Sequence, residues 1–299
     1  MALTKAQKQE LLAVIDRTGG NREVMLSTRV VPDDYRAMLN QVEREETTLS
    51  FDGIPPVRVI LSRDPARKEN CPVHVNFHGG GFILPQNEDD DMYCAHLALG
   101  IRGIVVDVDY ALTDKYPFPA AFDQAYAVIG WVFDQCPAWG ADAARVSAGG
   151  HSAGGNLVTA AAMKAAHTGA FRLNLAILDY SANDNYLALT DKGTERTRAF
   201  SLLYADGDAE LLKDPFVSPI FADVGQLKGF PPTLIAEAGK CPFVETNRQF
   251  GKKLEEAGVS VACVRFPDSR HGFSVRLIDD WRGAQQAFID AINAAAPIR

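Results

Sequence analysis

Ser152 has the surroundings that most clearly suggest chemistry. Residues 150–154 read Gly-His-Ser-Ala-Gly, the pattern G-x-S-x-G, between a predicted strand at 145–148 and a predicted alanine-rich helix. Such a strand–turn–helix junction exposes a serine hydroxyl, which can attack a carbonyl carbon once a base removes its proton. The flanking glycines suit this turn because a Cβ would collide with the neighbouring chain. We therefore predict that Ser152 is the nucleophile of an acyl-transfer site.

A run of three glycines is the second chemical feature. Residues 78–82 read His-Gly-Gly-Gly-Phe, directly after a predicted strand. Backbone N–H groups in such a loop can stabilise the negative charge that develops on a substrate oxygen during acyl transfer. We predict that Gly80, Gly81 and Ala153 form this oxyanion hole. Gly79 is a further candidate donor, and His78 is predicted to anchor the loop. A phosphate-binding loop is disfavoured, because no lysine follows and the pattern G-x-G-x-x-G is absent.

His271 is the candidate for the base. It lies in the segment Arg-His-Gly-Phe at 270–273, after the last predicted strand, and in such triads the histidine follows the serine along the chain. The other five histidines fall on predicted strands and helices or beside the motifs already assigned: His74, His78, His96, His151 and His167. We predict that His271 accepts the proton of Ser152.

Strands and helices alternate from about residue 56 onward. Apolar, β-branched runs predict the strands, and alanine-rich or amphipathic segments between them predict the helices. This alternation predicts an α/β fold, in which a mostly parallel, twisted sheet is covered by helices on both faces.

Two segments do not follow this alternation. Residues 1–50 contain predicted helices at 4–16 and 33–44, which we expect to form an N-terminal helical lid or packing arm. Residues 51–299 would form the core. Within it, a polar stretch at about 185–215 interrupts the alternation and is predicted to be a lid insertion.

The composition is typical of a soluble globular protein. Of 299 residues, 47% are apolar and 23% are charged, and the net charge is −8. No basic surplus is present to neutralise phosphates, which disfavours nucleic acid as a partner. We find no run of membrane-spanning length and no signal peptide. The five cysteines include no CxxC pair, so we expect a reduced, cytoplasmic protein with free thiols.

From about residue 70 to its end the sequence resembles the hormone-sensitive-lipase-like family of α/β-hydrolases. Besides the two glycine-containing motifs, further family segments occur in order: Asp-Tyr-Ala-Leu at 109–112, Tyr-Pro-Phe-Pro-Ala-Ala at 116–121, Asp-Pro at 214–215, Ser-Pro at 218–219 and Pro-Pro-Thr-Leu-Ile at 231–235. The resemblance implies the α/β-hydrolase fold with a small helical lid. It implies hydrolysis of small-molecule carboxylic esters with short or medium acyl chains, and no metal or organic cofactor.

One position departs from the family pattern. The family places its catalytic acid after the strand matched by 232–239, in a stretch reading Asp-Pro-Leu-x-Asp-Glu, where this sequence reads Cys-Pro-Phe-Val-Glu-Thr at 241–246. The acid normally orients the histidine and stabilises the imidazolium, and a neutral thiol at Cys241 cannot supply that charge. Our prediction for the third catalytic residue is Glu245, at the second acidic position of that stretch. Two alternatives remain open. One is a different carboxylate: Asp179, Asp184 or Asp268. The other is a site without an acid.

Two classes of function follow from these residues. The first is a carboxylesterase-type serine hydrolase that forms an acyl-enzyme on Ser152. The alternative is a non-hydrolytic member of the fold with an impaired triad, either a small-molecule binder or a lyase or cyclase. The missing acid favours the alternative, whereas the retained serine, histidine and glycine loop favour the esterase. The predicted strand at 259–266 suits a sheet edge, where a homodimer could form.

Overall fold

Eight strands form one sheet in the computed structural model, which describes residues 2–20 and 30–298. The strands are β1 (Glu43–Phe51), β2 (Ile54–Arg63), β3 (Cys71–Phe77), β4 (Ile104–Asp109), β5 (Ala141–His151), β6 (Leu175–Asp179), β7 (Thr233–Ala238) and β8 (Val261–Phe266). Their order across the sheet is β1-β2-β4-β3-β5-β6-β7-β8. β2 pairs antiparallel with β1 and β4, and all other neighbouring pairs are parallel. The predicted mostly parallel sheet is confirmed.

Helices cover both faces of the sheet. They are α1 (Lys5–Ile15), α2 (Asp33–Arg36), α3 (Glu88–Ile101), α4 (Ala120–Trp139), α5 (Ala153–Thr168), α6 (Glu195–Tyr204), α7 (Val244–Glu256) and α8 (Trp281–Ala294). A π-turn occupies Asp16–Gly20, and 3₁₀ turns occupy Ala37–Asn40, Tyr186–Leu189, Leu211–Lys213 and Pro219–Phe221. Within the described residues, no helix combines the length and the apolar character needed to cross a bilayer.

Two apolar cores stabilise this layered arrangement. Side chains of α4, α5 and α7 contribute to one core, and those of α3 and α8 contribute to the other. Successive strand residues face opposite sides: Ile177 belongs to one core and its neighbour Leu178 to the other. Each such side chain, only about 1% exposed, adds roughly 1.5–3 kcal/mol of burial free energy. Because β3, β5, β7 and β8 run parallel, the loops after their carboxyl ends meet at one edge of the sheet.

The first fifty residues differ from the predicted N-terminal helical unit. The helix predicted over 4–16 is confirmed as α1. The helix predicted over 33–44 ends early, because α2 and a 3₁₀ turn lead directly into β1, an edge strand of the sheet. Tyr35 is buried against Met92, Leu277 and Trp281, so this segment packs into the core. Two glutamates of β1 form ion pairs with arginines of β2: Glu46 with Arg58 and Glu45 with Arg63. The part of the predicted lid at 21–29 lies outside the described residues.

Helix α6, which lies within the predicted lid insertion at 185–215, packs against α1. Ile15 of α1 packs against Ala199 and Leu203 of α6. The ammonium of Lys8 forms an ion pair with Asp206 at 3.0 Å, just after α6. These contacts attach the N-terminal helix to the insertion.

Candidate active site

Ser152 lies at the turn between β5 and α5. Its φ and ψ angles are 53° and −112°, a left-handed φ that residues with a Cβ rarely adopt. Backbone hydrogen bonds hold it on both sides: the Ser152 N–H donates to the Asp179 carbonyl at 3.0 Å, and the Ser152 carbonyl accepts from the Ala182 N–H at 3.0 Å. The strained conformation persists because these neighbours fix it.

Two glycines allow the helix after Ser152 to begin so close to the sheet. A Cβ at Gly154 would lie 1.9 Å from the carbonyl oxygen of Phe77, and a Cβ at Gly155 would lie 1.9 Å from Ser181 Oγ. Neither distance is sterically possible. The glycines of the motif therefore let α5 start against the ends of β3 and β6, which places Ser152 at the carboxyl edge of the sheet.

His271 and Cys241 extend a line of contacts from the serine hydroxyl. Ser152 Oγ lies 3.0 Å from His271 Nε2, and His271 Nδ1 lies 3.1 Å from Cys241 Sγ. The backbone N–H of Phe243 donates to the same sulfur at 3.4 Å. The structure thus brings together the predicted nucleophile and base, and a thiol occupies the position next to Nδ1.

The loops that carry the thiol and the imidazole are joined to each other. The N–H of Gly239, after β7, donates to the carbonyl of Phe266 at the end of β8 at 2.9 Å. Arg270, which precedes the imidazole, binds Asp279 through its backbone N–H at 2.8 Å and through its guanidinium at 3.0 and 3.1 Å. The Gly239 bond joins the two loops, and the bonds to Asp279 hold the segment that carries His271.

Glu245, the carboxylate predicted as third catalytic residue, is not brought to the imidazole. It is exposed on the first turn of α7, where its Oε1 accepts a hydrogen bond from Gln249 Nε2 at 3.2 Å. The helix directs this side chain along its own surface, four residues ahead to Gln249. Cys241 holds the position beside Nδ1 that Glu245 was predicted to take.

The three alternative carboxylates also have other partners. Asp179 is fully buried, and its Oδ2 contacts His151 Nδ1 at 2.8 Å and accepts from the Ser274 hydroxyl. Asp184 accepts from a backbone N–H of the following 3₁₀ turn at 2.8 Å. Asp268 is exposed and pairs with a lysine at 3.2 Å. Asp179 therefore ties the turn before Ser152 to the loop after His271 without replacing the acid.

The candidate base His271 and its thiol neighbour Cys241 are both uncharged near neutral pH. Burial, together with the smaller effect of the cations Arg276 and Arg196, lowers the pKa of His271 to about 3. Burial raises the pKa of the Cys241 thiol to about 12, although the Phe243 N–H opposes this shift. The imidazole therefore has no negative charge beside it to stabilise its protonated form.

The glycine loop lies opposite the serine, as an oxyanion hole requires. Gly80 and Gly81 line the same cavity as Ser152 and Ala153. Their φ angles are 127° and 61°, and a Cβ at Gly81 would lie 2.7 Å from the ring of Phe200. Within the described residues, the N–H groups of Gly80 and Gly81 donate to no protein acceptor. Ala153 begins α5, so its N–H has no partner within the helix.

His78 anchors the base of this loop by contacts in the interior. It is fully buried, and its Nδ1 lies 2.8 Å from the carbonyl oxygen of Gly79. Its ring stacks on Tyr110 with centroids 4.1 Å apart, and the Tyr110 hydroxyl donates to the His78 carbonyl at 2.9 Å. These contacts join the ends of β3 and β4 beneath the glycines.

A cavity of about 320 Å³ opens above Ser152. The glycine loop, helix α6 and the loops carrying Cys241 and His271 line it. Its apolar lining comes from Phe82, Leu84, Leu187, Ala188, Phe200, Pro242 and Phe243. Its charged lining comes from Asp184, Lys192, Arg196 and Arg276. The cavity can admit a small molecule whose carbonyl reaches Ser152.

Three side chains around the base were not identified from the sequence. The Tyr180 ring meets the His271 ring edge-on at 4.8 Å, and the guanidiniums of Arg196 and Arg276 line the cavity. Arg276 lies only five residues after His271, which is the one signal that could have suggested it. The orientation of Arg196 depends on how α6 is rotated over the cavity, and the sequence gives no measure of that rotation.

Comparison with known proteins agrees with this architecture. Residues 74–275 match a family described by the alpha/beta hydrolase fold. The carboxylesterase NlhH of Mycobacterium tuberculosis is 31% identical over 246 residues, which cover 79% of this chain and 77% of that protein. The structure is similar to that of an esterase from Pyrobaculum calidifontis, with a TM-score of 0.78, 26% identity and coverage of 98% and 99% of the two chains. A thermostable esterase from Pseudomonas putida is also similar, with a TM-score of 0.79, 25% identity and coverage of 100% and 99%. Together with the glycine loop and the serine turn, these matches show that the chain belongs to the hormone-sensitive-lipase-like family of α/β-hydrolases.

Proposed function

We propose that this protein hydrolyses carboxylic esters, with Ser152 as nucleophile and His271 as general base. The observation that carries the proposal is the 3.0 Å contact between Ser152 Oγ and His271 Nε2 at the floor of a cavity lined by the glycine loop. The esterase names of the relatives support the same reaction class. Glu245 has no place in the proposed mechanism, because it is exposed and bonded to Gln249.

The proposed reaction has two acyl-transfer steps. His271 Nε2 accepts the proton of Ser152 Oγ while the oxygen attacks the ester carbonyl carbon, and the carbonyl oxygen becomes an oxyanion. The N–H groups of Gly80, Gly81 and Ala153 stabilise that charge. The protonated imidazole then protonates the leaving alcohol. Water releases the acyl group from Ser152 by the same steps, and no cofactor takes part.

The thiol of Cys241 makes this base a weak one. Proton transfer from the serine requires the tautomer with its proton on Nδ1, directed at the sulfur 3.1 Å away. A neutral sulfur accepts such a hydrogen bond only weakly and gives the imidazolium no compensating charge. The opposite arrangement, in which the thiol donates to Nδ1, puts the proton on Nε2 and blocks the transfer. We therefore expect slow turnover of unactivated esters.

The size of the cavity supports short or medium acyl chains. Its volume of about 320 Å³ is at the lower end of the range of small-molecule sites. The lid residue Phe200 and the loop residue Leu84 would contact the acyl chain. In a series of p-nitrophenyl esters, kcat/KM should be highest for acetate to hexanoate and fall for laurate. A preference for laurate would contradict this assignment of acyl length.

Covalent labelling tests the proposal most simply. A fluorophosphonate probe should label the wild-type protein on Ser152 but not Ser152→Ala, and p-nitrophenyl acetate should be hydrolysed only by the protein with the serine. A non-hydrolytic role is the second candidate, and the neutral thiol beside Nδ1 favours it. No labelling of Ser152, combined with no hydrolysis of p-nitrophenyl acetate, would leave only that second role.

A further inference from the structure

The cavity above Ser152 carries an excess of positive charge. Its charged lining consists of three cations, Lys192, Arg196 and Arg276, and one carboxylate, Asp184. His271 adds no charge at neutral pH, because burial and the two arginines hold its pKa at about 3. A thiol stands where the family has an aspartate, so the position beside the imidazole supplies no negative charge either.

Arg276 is built into the wall next to the candidate base. A Cβ at Gly272 would lie 2.9 to 3.1 Å from three guanidinium-end atoms of Arg276. The arginine therefore lies against the backbone of Gly272, the residue directly after His271. The backbone N–H of Arg276 also donates to the Gly272 carbonyl at 3.0 Å. This packing holds the cation at the site and depends on a glycine at position 272.

Arg196 approaches the same cavity from the lid helix α6. Its guanidinium carbon lies 5.3 Å from the centre of the Phe200 ring. Its Nε is buried and has no hydrogen-bond partner among the described residues. Within residues 2–20 and 30–298, no carboxylate lies within ion-pair distance of this arginine. A half-buried guanidinium without an acidic partner is costly unless a ligand supplies one.

We infer that the cavity accepts esters that carry a carboxylate group, which Arg196 and Arg276 bind while the ester carbonyl lies at Ser152. The inference rests on the proposed ester hydrolysis and specifies its substrate class. Two guanidiniums from different elements suit a carboxylate, since each can donate paired hydrogen bonds to its oxygens. The carboxylate belongs to either the acyl part or the leaving alcohol of the ester.

A bound carboxylate has a consequence for the base as well. Arg276 and Arg196 disfavour protonation of His271, and an anion between them offsets this effect. The substrate would then supply part of the negative charge that Cys241 does not provide. Carboxylate-bearing esters should therefore gain in turnover as well as in binding.

Rigid ester pairs test the inference, because a para-substituted ring prevents the carboxylate from attacking its own ester. For the alcohol part, the pair is 4-acetoxybenzoate and 4-acetoxybenzamide. For the acyl part, the pair is mono-p-nitrophenyl terephthalate and its monoamide. In at least one pair the acid should exceed the amide in kcat/KM by about 10- to 100-fold, as expected for charge-assisted hydrogen bonds. Arg196→Gln and Arg276→Gln should each bring this ratio down towards one. The matched control Arg198→Gln, an exposed arginine on the same helix, should keep it.

Binding provides a readout that does not depend on turnover. In Ser152→Ala, calorimetry should show 4-acetoxybenzoate or the terephthalate monoester binding about tenfold more tightly than its amide. Equal binding of acid and amide in both pairs, or an unchanged ratio in the arginine variants, would overturn the inference. Hydrolysis of both amides without preference for the acids would overturn it too, while leaving the proposed esterase function intact. Failure of the esterase function would instead appear as absence of all hydrolysis and of fluorophosphonate labelling.

Discussion

Replacing Cys241 by aspartate should increase esterase turnover. Cys241 is 3% exposed, and its sulfur lies 3.1 Å from His271 Nδ1. An aspartate there would accept a hydrogen bond from the N–H of His271 Nδ1. It would also accept one from the backbone N–H of Phe243, which now donates to the sulfur at 3.4 Å. The carboxylate would thus find two donors already in position.

The size of the gain follows from the charge placed beside the imidazole. A carboxylate about 4 Å from the imidazolium stabilises it by about 4 kcal/mol at an effective dielectric constant of about 20. Each 1.36 kcal/mol corresponds to about tenfold in rate. Because the imidazole is only partly charged in the transition state, we expect Cys241→Asp to raise kcat on p-nitrophenyl acetate by about 100- to 1000-fold. This range is below the roughly 10⁴-fold effect of losing such an acid in other serine hydrolases.

Two measurements distinguish charge from geometry in this variant. Cys241→Asn has nearly the same shape as Cys241→Asp but no charge, so it should gain less than about tenfold. The aspartate should also raise the pKa of His271 from about 3, so that the imidazole becomes protonated as the pH falls. The kcat/KM of Cys241→Asp should therefore decline below about pH 6, while that of the wild type stays flat to about pH 5. Equal rates for Cys241→Asp and the wild type, with both variants folded, would refute this reasoning.

Three further predictions concern the serine turn, Glu245 and pH. Gly155→Ala should lower the free energy of unfolding by at least about 1–3 kcal/mol, since its Cβ would meet Ser181 Oγ at 1.9 Å. An unchanged urea midpoint would contradict this, and the control is Gly130→Ala, whose Cβ would make only an ordinary van der Waals contact with Phe171 at 3.8 Å. Glu245→Gln should leave kcat/KM within about twofold, because the side chain is exposed; a tenfold loss in a steady-state assay would restore its catalytic role. Burial lowers the pKa of His74 to about 3, so the unfolded chain takes up protons below pH 6.5 before the folded one does. Stability should therefore fall from about pH 6.5 towards about pH 3, and the decline in urea midpoints should be smaller in His74→Asn.

The fold and the serine–histidine pair could be predicted because they depend on local patterns. The motif around Ser152 needs glycines at fixed spacing, since Gly154 and Gly155 have no room for a Cβ. A strand covered on both faces carries a continuous apolar run, as in β6, whose residues 175–178 are all apolar and buried. Such requirements leave a direct trace in the sequence.

The remaining features depend on tertiary contacts that leave no such trace. Glu245 is suitably charged and spaced, but the start of α7 turns it to solvent, and only the pairing of the loops after β7 and β8 sets Cys241 beside Nδ1. The helix predicted over 33–44 begins at Asp33, where the acidic pair Asp33–Asp34 indicates a helix start, but its end was wrong, because β1 begins at Glu43 and its charges pair across the sheet edge with β2. The position of Arg196 in the cavity depends on the placement of α6, which the sequence alone does not determine.

Trapping the acyl-enzyme tests the central claim most directly. After rapid mixing with p-nitrophenyl acetate and acid quenching, peptide mass spectrometry should find one acetyl group on the peptide containing Ser152, formed at the rate of the nitrophenol burst. The weak base should slow formation and breakdown alike, and Ser152→Ala should show neither the burst nor the acetyl group. Release of nitrophenol at the same rate by wild type and Ser152→Ala, with no acetyl group on the serine, would contradict the account.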